Sequence, residues 1–268
     1  WRPRAVYAAI GAVWVVAAIA GGIVGVFDVL GPPPLGRDLE VSRVVLDRNG
    51  TLLRAYLTSE GRWRLAATRK DVDPRYLEAL LAYEDKRFFS HRGVDPLALG
   101  RAAYQLASQG RIVSGGSTLT MQVARLLEPR RERSLDAKIR QARRAVQLEL
   151  ALSKDDIFAL YLTLAPYGGN LEGVRAASLA YFGKEPRRLT LGQAALLVAL
   201  PQAPEDRRPD RFPEAAKSAR DRVLDRIAGH GAFSDEEIAR AKQEDVPNGR
   251  EPMPLLAPHA ADQAVSSA

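Results

Sequence analysis

The sequence predicts a mainly α-helical domain with a small β element on its N-terminal side, preceded by an apolar membrane helix. Three observations support this prediction. Apolar residues recur at helical spacing from residue 73 onward. The pair Asn49-Gly50 separates two β-prone runs, which is a hairpin signal. An uncharged apolar run extends from Ala5 to Phe27.

The run from Ala5 to Phe27 predicts a transmembrane anchor. As a helix it would extend about 34 Å, enough to cross a hydrocarbon core of about 30 Å. Because Arg2 and Arg4 precede it, the positive-inside rule places the N-terminus in the cytoplasm. The alternative is a cleaved signal peptide with Ala18-Ile19-Ala20 as its cleavage site. The apolar run is, however, longer than the apolar region of a typical signal peptide. We expect a single-pass protein of the cytoplasmic membrane with its main domain on the outer, periplasmic side.

Composition narrows the class of protein. Of 268 residues, 46% are hydrophobic and 26% charged, which suits a sizeable globular core. The absence of cysteine excludes disulfides and thiolate metal sites, and the three histidines are too dispersed to indicate a metal site. The net charge of +7 favours an anionic partner: nucleic acid, a membrane surface or a phosphorylated substrate. A location outside the cytoplasm argues against nucleic acid.

Capping residues and prolines set the expected helix boundaries. Helices are predicted from Asp73-Pro74 to about Glu84, from Asp95-Pro96 to near Gly110, from Ser117-Thr118, from Ser134, and from Leu191 to Pro201. Capping boxes are expected at Ser153/Asp156, Thr190/Gln193 and Ser234/Glu237. The expected division is 1–30, cytoplasmic stub and anchor; 31–72, linker and hairpin element; 73–229, main domain; and 230–268, C-terminal helix and linker or tail.

The first candidate site is the acidic pair Glu84-Asp85, where a predicted helix gives way to a loop containing Gly93. A half-buried carboxylate at such a place can serve as a general base. The alternative is a solvated pair at a helix end, which composition alone favours. The C-terminal end of a helix is, however, electrostatically unfavourable for two acids. His91, in the same loop, is more typical of a residue that orders a loop than of a proton carrier.

The second candidate site is a small-residue loop, Ser114 to Thr118, that enters a predicted helix. Its backbone N–H groups and the hydroxyls of Ser117 and Thr118 suit a phosphate or a sugar. The alternative is an ordinary N-cap after a flexible loop. Gln122 and Arg125 follow on adjoining faces of the helix, and Arg125 would add charge to a bound phosphate. The next helix carries a basic stripe, either a solvated face or part of a diphosphate site, formed by Lys138, Arg140, Arg143 and Arg144.

Motifs occur in order along the chain: EDKRFFSHRGVD (84–95), GGSTLTMQ (115–122), AKIRQ (137–141), LSKDDIFALYL (152–162), GVRAASLAYFGK (173–184) and finally ALPQAP (199–204). Together they resemble the peptidoglycan glycosyltransferase domain of family 51, found in class A penicillin-binding proteins and monofunctional transglycosylases. The resemblance covers about residues 41–229. It is most like the 1C branch of the family in three runs, GRIVSGGSTLTMQVARLL (110–127), KIRQ and ALPQAP.

The resemblance implies a lysozyme-like helical fold with a jaw subdomain close to the bilayer. It also implies an enzyme that joins lipid-linked disaccharide-pentapeptide units into glycan strands and releases polyprenyl diphosphate. The implied partners are the lipid-linked precursor, the growing strand, the membrane and other cell-wall synthesis proteins, and no nucleic acid. A divalent cation, magnesium or manganese, bound with the substrate diphosphate would be the helper, and no organic cofactor is expected.

Residue roles follow from the same resemblance. Glu84 matches the general base that deprotonates the acceptor sugar hydroxyl. Lys138 and Arg125 match positions that stabilise the departing diphosphate. The positions that line the donor cleft or shape the site around the base are Ser117, Thr118, Gln122, Asp85 and His91.

The sequence departs from the family pattern at several positions. The third motif usually ends in a second catalytic glutamate, and here that position is Gln141, whose amide is neither acid nor base. The same motif usually begins with an arginine, and here that position is Ala137. A serine often follows the ALPQAP run in the family, and here that position is Glu205. Neither Ser-x-x-Lys nor Lys-Thr-Gly, the motifs of a transpeptidase, occurs in these residues. The Pro-rich stretch after Val246 is therefore expected to be a linker towards a further domain.

Two other functions remain open from the residues. A lysozyme-like hydrolase would also use one carboxylate in a cleft. A catalytically weak domain that binds substrate or partner proteins would tolerate Gln141.

Overall fold

The computed structural model describes residues 30–109, 116–129, 134–229 and 231–266. Its helices are α1 Pro74–Glu84, α2 Pro96–Gln109, α3 Leu119–Leu127, α4 Leu135–Ala151, α5 Lys154–Leu164, α6 Val174–Phe182, α7 Leu191–Ala199, α8 Pro213–Ala228, α9 Asp235–Gln243 and α10 Pro258–Ser266. Its strands are β1 Val44–Leu46, β2 Leu52–Ala55, β3 Trp63–Arg64 and β4 Leu171–Glu172. The chain is thus mainly helical, as the sequence predicts.

The predicted membrane anchor lies outside the described residues. Within the four ranges above, none of the helices combines the length and the apolar character that a membrane crossing requires.

The predicted helix starts are confirmed because their caps are formed. Side-chain oxygens of Asp73, Thr118 and Ser134 accept backbone N–H groups in the first turns of α1, α3 and α4. These bonds satisfy donors that have no partner within a helix, which is why such residues start helices. Capping boxes are also formed at Thr190 and Ser234.

The predicted hairpin is confirmed as well. Strands β1 and β2 pair antiparallel, with Val44 opposite Ala55. The turn is closed by the Asp47 carboxylate, which accepts the N–H groups of Asn49 at 2.7 Å and Thr51 at 2.8 Å. Gly50 has φ +81°, a conformation that glycine adopts without steric cost.

The described chain divides into two compact units. Unit A comprises residues 87–157 with the segment up to Arg37, and unit B comprises residues 38–86 and 158–268. The chain passes between them after Lys86 and within α5. Unit B therefore joins residues from both sides of the boundary expected at residue 73. One reason is that β3 pairs in parallel with β4, which follows it by more than a hundred residues.

Unit B has a helical core in which α1, α7, α8 and α9 pack on one another. Helix α7 is the centre of this core, since its residues from Ala194 to Ala199 are fully or almost fully buried. Burial of every α7 residue except Gln193 explains why the rest of its sequence, LGQAALLVA, is apolar instead of amphipathic.

Unit A contains the packed pair α3 and α4. A buried arginine of α4, Arg144, joins this pair to the segment at residues 30–32. It donates to Glu128 at 2.8 and 3.0 Å and to the carbonyls of Leu30, Gly31 and Pro32 at 2.8 to 3.1 Å. A buried guanidinium needs such a full set of acceptors. Arg144, predicted as part of a basic stripe, is thus a structural residue.

The C-terminal stretch differs from the linker expected after Val246. Within unit B, the Leu256 N–H donates to the Leu53 carbonyl at 3.0 Å, and α10 packs on β2. Asp262 of α10 pairs with Arg54 at 2.6 Å and accepts the Tyr56 hydroxyl at 2.8 Å. The proline- and alanine-rich composition indicates a linker because it offers few large apolar groups, yet these polar contacts attach the stretch to the hairpin.

Candidate active site

The predicted site residues occur in both units. Unit B contains Glu84 and Asp85; unit A contains His91, Ser117, Thr118, Gln122, Arg125, Lys138 and Gln141. We name the group around Glu84, Gln202 and Arg207 the Glu84 cluster, and the group around Ser117, Arg125, Lys138 and Gln141 the Lys138 cluster.

Glu84 is the last residue of α1 and is half-buried. Its Oε1 accepts a hydrogen bond of 2.8 Å from Nε2 of Gln202. Oε1 of Gln202 accepts a bond of 3.1 Å from Arg207, which also donates to the Ala199 carbonyl at 2.7 Å. Helix α1 packs against α7 and α8, so the carboxylate belongs to a firmly held helix. The next residue, Asp85, is buried and caps the helix.

Two buried tyrosines lie in the core of the same unit. The hydroxyls of Tyr76 and Tyr167 are 2.8 Å apart, and Tyr181 donates to the Tyr167 carbonyl at 2.8 Å. Burial raises the pKa of Tyr76 and of Tyr167, and the negative charge of Glu84 contributes at Tyr76. Both phenols therefore stay neutral at physiological pH and act as hydrogen-bonded core residues.

In unit A, the remainder of the first motif forms a loop closed by an ion pair. Arg87 donates to both carboxylate oxygens of Asp95 at 2.5 to 3.0 Å. Burial acts to raise the pKa of Asp95, but hydrogen bonds from Arg87 and from the Ala98 N–H, with the nearby charge of His91, lower it overall. His91 is buried, with its ring edge-on to Phe88 at 6.3 Å between centroids. The loop is thus ordered before any ligand binds.

Gly93 lets this loop approach α4 closely. Its φ is +86°, and a Cβ there would be 2.6 Å from the carbonyl carbon of Ala145. The Thr118 hydroxyl donates to the Gly93 carbonyl at 2.5 Å and accepts the Met121 N–H at 3.1 Å. Thr118 therefore connects the first-motif loop to the start of α3, and its hydroxyl is already used by protein groups.

The Lys138 cluster brings the second and third motifs together. The Lys138 ammonium donates to the Ser117 hydroxyl. Loss of solvent lowers the pKa of Lys138, and the positive charge of Arg125 lowers it further. Two cations this close repel each other, and a bound anion would relieve the repulsion. The cluster is therefore chemically suited to an anionic group.

Gln141 lines a small open pocket between α3 and α4. The other lining residues are Ala124, Arg125, Glu128, Ala137, Arg140 and Arg144. The amide thus lies among arginine side chains, one turn along α4 from Lys138. Gln122 is on α3 and partly buried. Unit A therefore groups Ser117, Arg125, Lys138 and Gln141 around α3 and α4, as the motif order implies.

Comparison with known proteins decides the family. The family model described as transglycosylase matches residues 49–228, more than half of the chain. The chain belongs to the transglycosylase family.

Several curated relatives align with it. Penicillin-binding protein 1C of Escherichia coli is 49% identical over 86% of this chain. Penicillin-binding protein 1A of Aquifex aeolicus is 41% identical over 63%, and penicillin-binding protein 1F of Bacillus subtilis is 33% identical over 76%. The chain spans 30%, 23% and 28% of the length of these relatives. The predicted likeness to class A penicillin-binding proteins, including the 1C branch, is confirmed.

One solved structure, penicillin-binding protein 1A from Haemophilus influenzae, superposes with a TM-score of 0.44 at 19% identity. The alignment covers 85% of this chain and 24% of that one. This similarity is too low to establish a shared fold, so the lysozyme-like class stays a prediction.

The structure explains one position at which this sequence departs from the family pattern, Glu205. Glu205, expected to repel a phosphate, accepts the Gly169 N–H at 2.7 Å and lies 3.5 Å from Arg208. Its carboxylate therefore holds a glycine-rich turn in unit B.

A partly buried ion pair that sequence reasoning missed supports the motifs in unit A. Glu149 of α4 accepts the Thr120 hydroxyl at 2.6 Å and Lys154 at 2.7 Å. Lys154 also lies over the Phe88 ring, 4.3 Å from its centroid. These contacts connect the first, second and fourth motifs. Nothing in the sequence singles out these residues, because both motifs contain several other polar residues.

The described side chains offer no ready-made place for a protein-bound metal. Across ranges 30–109, 116–129, 134–229 and 231–266, no group of three or more His, Cys, Asp or Glu residues converges on one point. The Lys138 cluster is basic, a donor set that does not suit a cation.

Proposed function

We propose that this transglycosylase domain polymerises lipid-linked disaccharide-pentapeptide into peptidoglycan glycan strands, with release of polyprenyl diphosphate. The observation that carries the proposal is the match of the family model over residues 49–228, which contain both clusters. The chemistry of the clusters fits this reaction, because one supplies a carboxylate and the other supplies cations.

Glu84 is the proposed general base. It removes the proton from the acceptor sugar hydroxyl as that oxygen attacks the anomeric carbon of the donor, which is the growing strand on its lipid diphosphate. The bond from the anomeric carbon to the diphosphate oxygen breaks, and its electron pair leaves with the diphosphate. Asp85 and His91 shape the loop that follows the base.

Lys138 and Arg125 are the proposed electrophilic groups. They stabilise the charge that develops on the leaving diphosphate, and the loss of solvent around Lys138 strengthens that interaction. Ser117, Thr118 and Gln122 line the donor side, where Ser117 keeps the Lys138 ammonium in place. Gln141 takes the position of the second glutamate and offers hydrogen bonds only. A magnesium or manganese ion accompanies the diphosphate in this proposal, and no step depends on it.

The proposed location is the cytoplasmic membrane, with residues 31 onward on the outer side. Its support is the uncharged run from Ala5 to Phe27 after Arg2 and Arg4. The proposed domains are those expected from the sequence, with residues 73–229 as the catalytic part. The partners are the lipid-linked precursor, the growing strand and other cell-wall synthesis proteins.

A polymerisation assay tests the function. The full chain in detergent is given lipid-linked disaccharide-pentapeptide, and products are separated by length, with and without a phosphoglycolipid inhibitor. Long glycan strands are expected, and the inhibitor should abolish them. Shortening of preformed strands would instead indicate a hydrolase. Substrate binding without turnover would indicate a catalytically weak binding domain, the function that Gln141 favours.

A further inference from the structure

We propose that Gln202 is a positioning residue for the general base, and that Arg207 fixes the direction in which its amide points. The inference rests on the proposed function, since it concerns the carboxylate of Glu84. All three residues lie in unit B, and their contacts form one chain from Arg207 through Gln202 to Glu84.

The amide of Gln202 has only one orientation that satisfies both neighbours. An ionised carboxylate only accepts hydrogen bonds, and a guanidinium only donates them. The –NH₂ end must therefore face Glu84, where the N–O distance is 2.8 Å, and the carbonyl end must face Arg207 at 3.1 Å. If Arg207 were absent, nothing in this chain of contacts would stop the amide from turning its oxygen towards the carboxylate.

The backbone that carries Gln202 is rigid. Gln202 ends a 3₁₀ turn, Leu200–Gln202, that continues directly from α7. Leu200 and Pro201 are buried in the core of unit B, and the proline ring fixes its own φ. The Ala203 N–H closes the turn onto the Leu200 carbonyl at 3.2 Å.

Arg207 is anchored to the same turn. It donates to the Ala199 carbonyl at 2.7 Å, the last residue of α7. Its own N–H donates to the Ala203 carbonyl at 3.0 Å. The end of α7 thus positions the guanidinium, and the guanidinium orients the Gln202 amide through its hydrogen bond.

This arrangement specifies what the ALPQAP run contributes to catalysis. A hydrogen bond to a charged group is about twice as strong as a neutral one, and it restricts the rotation of the carboxylate about its last side-chain bond. Holding one oxygen of Glu84 orients the carboxylate for proton removal. Gln202 itself need not touch the substrate, so its effect should appear in kcat and leave KM unchanged.

The experiment compares isosteric and rescuing variants in the full chain, with lipid-linked disaccharide-pentapeptide as substrate. Gln202→Glu keeps the shape and can pair with Arg207, but it presents an acceptor to Glu84. We expect kcat to fall by about 10- to 100-fold, the size of one charged hydrogen bond, with KM within about twofold. Arg207→Met should lower kcat less than Gln202→Glu does. Arg207→Lys can still donate to Gln202, so its kcat should be close to that of the wild-type chain.

The unfolding temperature of each variant is measured in parallel, and Gln243→Glu, an exposed residue of α9, is the control for the added charge. The inference is overturned if Gln202→Glu retains wild-type kcat, if its loss follows a matching loss of stability, or if Arg207→Lys is as impaired as Arg207→Met. Absence of polymerisation by the wild-type chain would instead refute the proposed function, so the two failures are distinguishable.

Discussion

The Glu84 cluster and the Lys138 cluster hold their charges in opposite ways. In the Glu84 cluster, a carboxylate accepts a hydrogen bond from the neutral amide of Gln202, and that amide accepts one from Arg207. In the Lys138 cluster, two cations lie close enough for one to lower the pKa of the other. A general base needs an oriented carboxylate oxygen, and the hydrogen bond from Gln202 supplies that orientation. A diphosphate site must attract negative charge.

The largest expected effect tests the first half of this comparison. Glu84→Gln keeps the size of the side chain but removes the base, so polymerisation should fall at least about 100-fold. The measurement is initial rate of strand formation, with unfolding temperature to show that the domain stays folded. Glu78→Gln, at an exposed position of the same helix, is the matched control and should keep full activity. Turnover unchanged in Glu84→Gln would refute the assignment.

The second prediction concerns the Lys138 cluster. Lys138→Met removes the ammonium and keeps the aliphatic length, so kcat should fall about 100-fold, as for loss of one preorganised electrostatic contact. The kcat of Lys138→Arg should fall less, because arginine retains the positive charge. Lys70→Met, at an exposed position of unit B, serves as control. Equal losses in Lys138→Met and Lys138→Arg would show that packing, and not charge, is what Lys138 supplies.

A smaller effect should appear in the pH dependence. Lys138 must be protonated to stabilise the diphosphate, so activity is lost as the pH rises through its pKa. Loss of solvent and, to a lesser degree, Arg125 lower that pKa. Arg125→Gln removes the positive charge that contributes to this lowering, so the pKa of Lys138 should rise and the alkaline limb of the kcat–pH profile should move to higher pH. The maximal kcat should fall about tenfold, because one charged contact to the diphosphate is lost.

If the alkaline limb of the kcat–pH profile stays in place or moves to lower pH in Arg125→Gln, the titration of Lys138 does not set that limb. The comparison is made at constant ionic strength, because salt screens the interaction between the two cations.

The smallest expected effect concerns Gln141. The pocket around it is lined by Arg125, Arg140 and Arg144, so a carboxylate there would meet cations. Gln141→Glu is expected to keep or raise the polymerisation rate, by at most a few fold. Gln243→Glu adds the same charge elsewhere and should change nothing. A clear loss of rate in Gln141→Glu alone would show that the site is adapted to the amide.

Much of the local structure could be predicted because its causes are local. Thr118, Ser134 and Thr190 start helices through bonds to amides three residues later, so the sequence around each contains the whole cause. The same holds for the hairpin turn at Asn49-Gly50. The candidate residues Glu84 and Lys138 were found through motifs, which record residue types that a reaction needs at fixed spacing.

Other features could not be predicted because their causes are distant. The attachment of α10 depends on Tyr56 meeting Asp262, 206 residues further along. Glu149 is an unremarkable charge in the sequence, and its bond to the Thr120 hydroxyl, 29 residues away, depends on the packing of α3 on α4. Composition marks the C-terminal stretch as a linker, and nothing within that stretch indicates the surface it binds.

The first motif shows how these two sources of information divide. By itself, the sequence determined where α1 ends, that an acidic pair lies at this end, and that a loop containing Gly93 follows. Only the tertiary structure decided that Glu84 meets Gln202 and that Gly93 lies against α4. The physical reason is range: caps and turns are set by neighbours in the chain, whereas the partners of a functional side chain are set by packing between elements far apart in sequence.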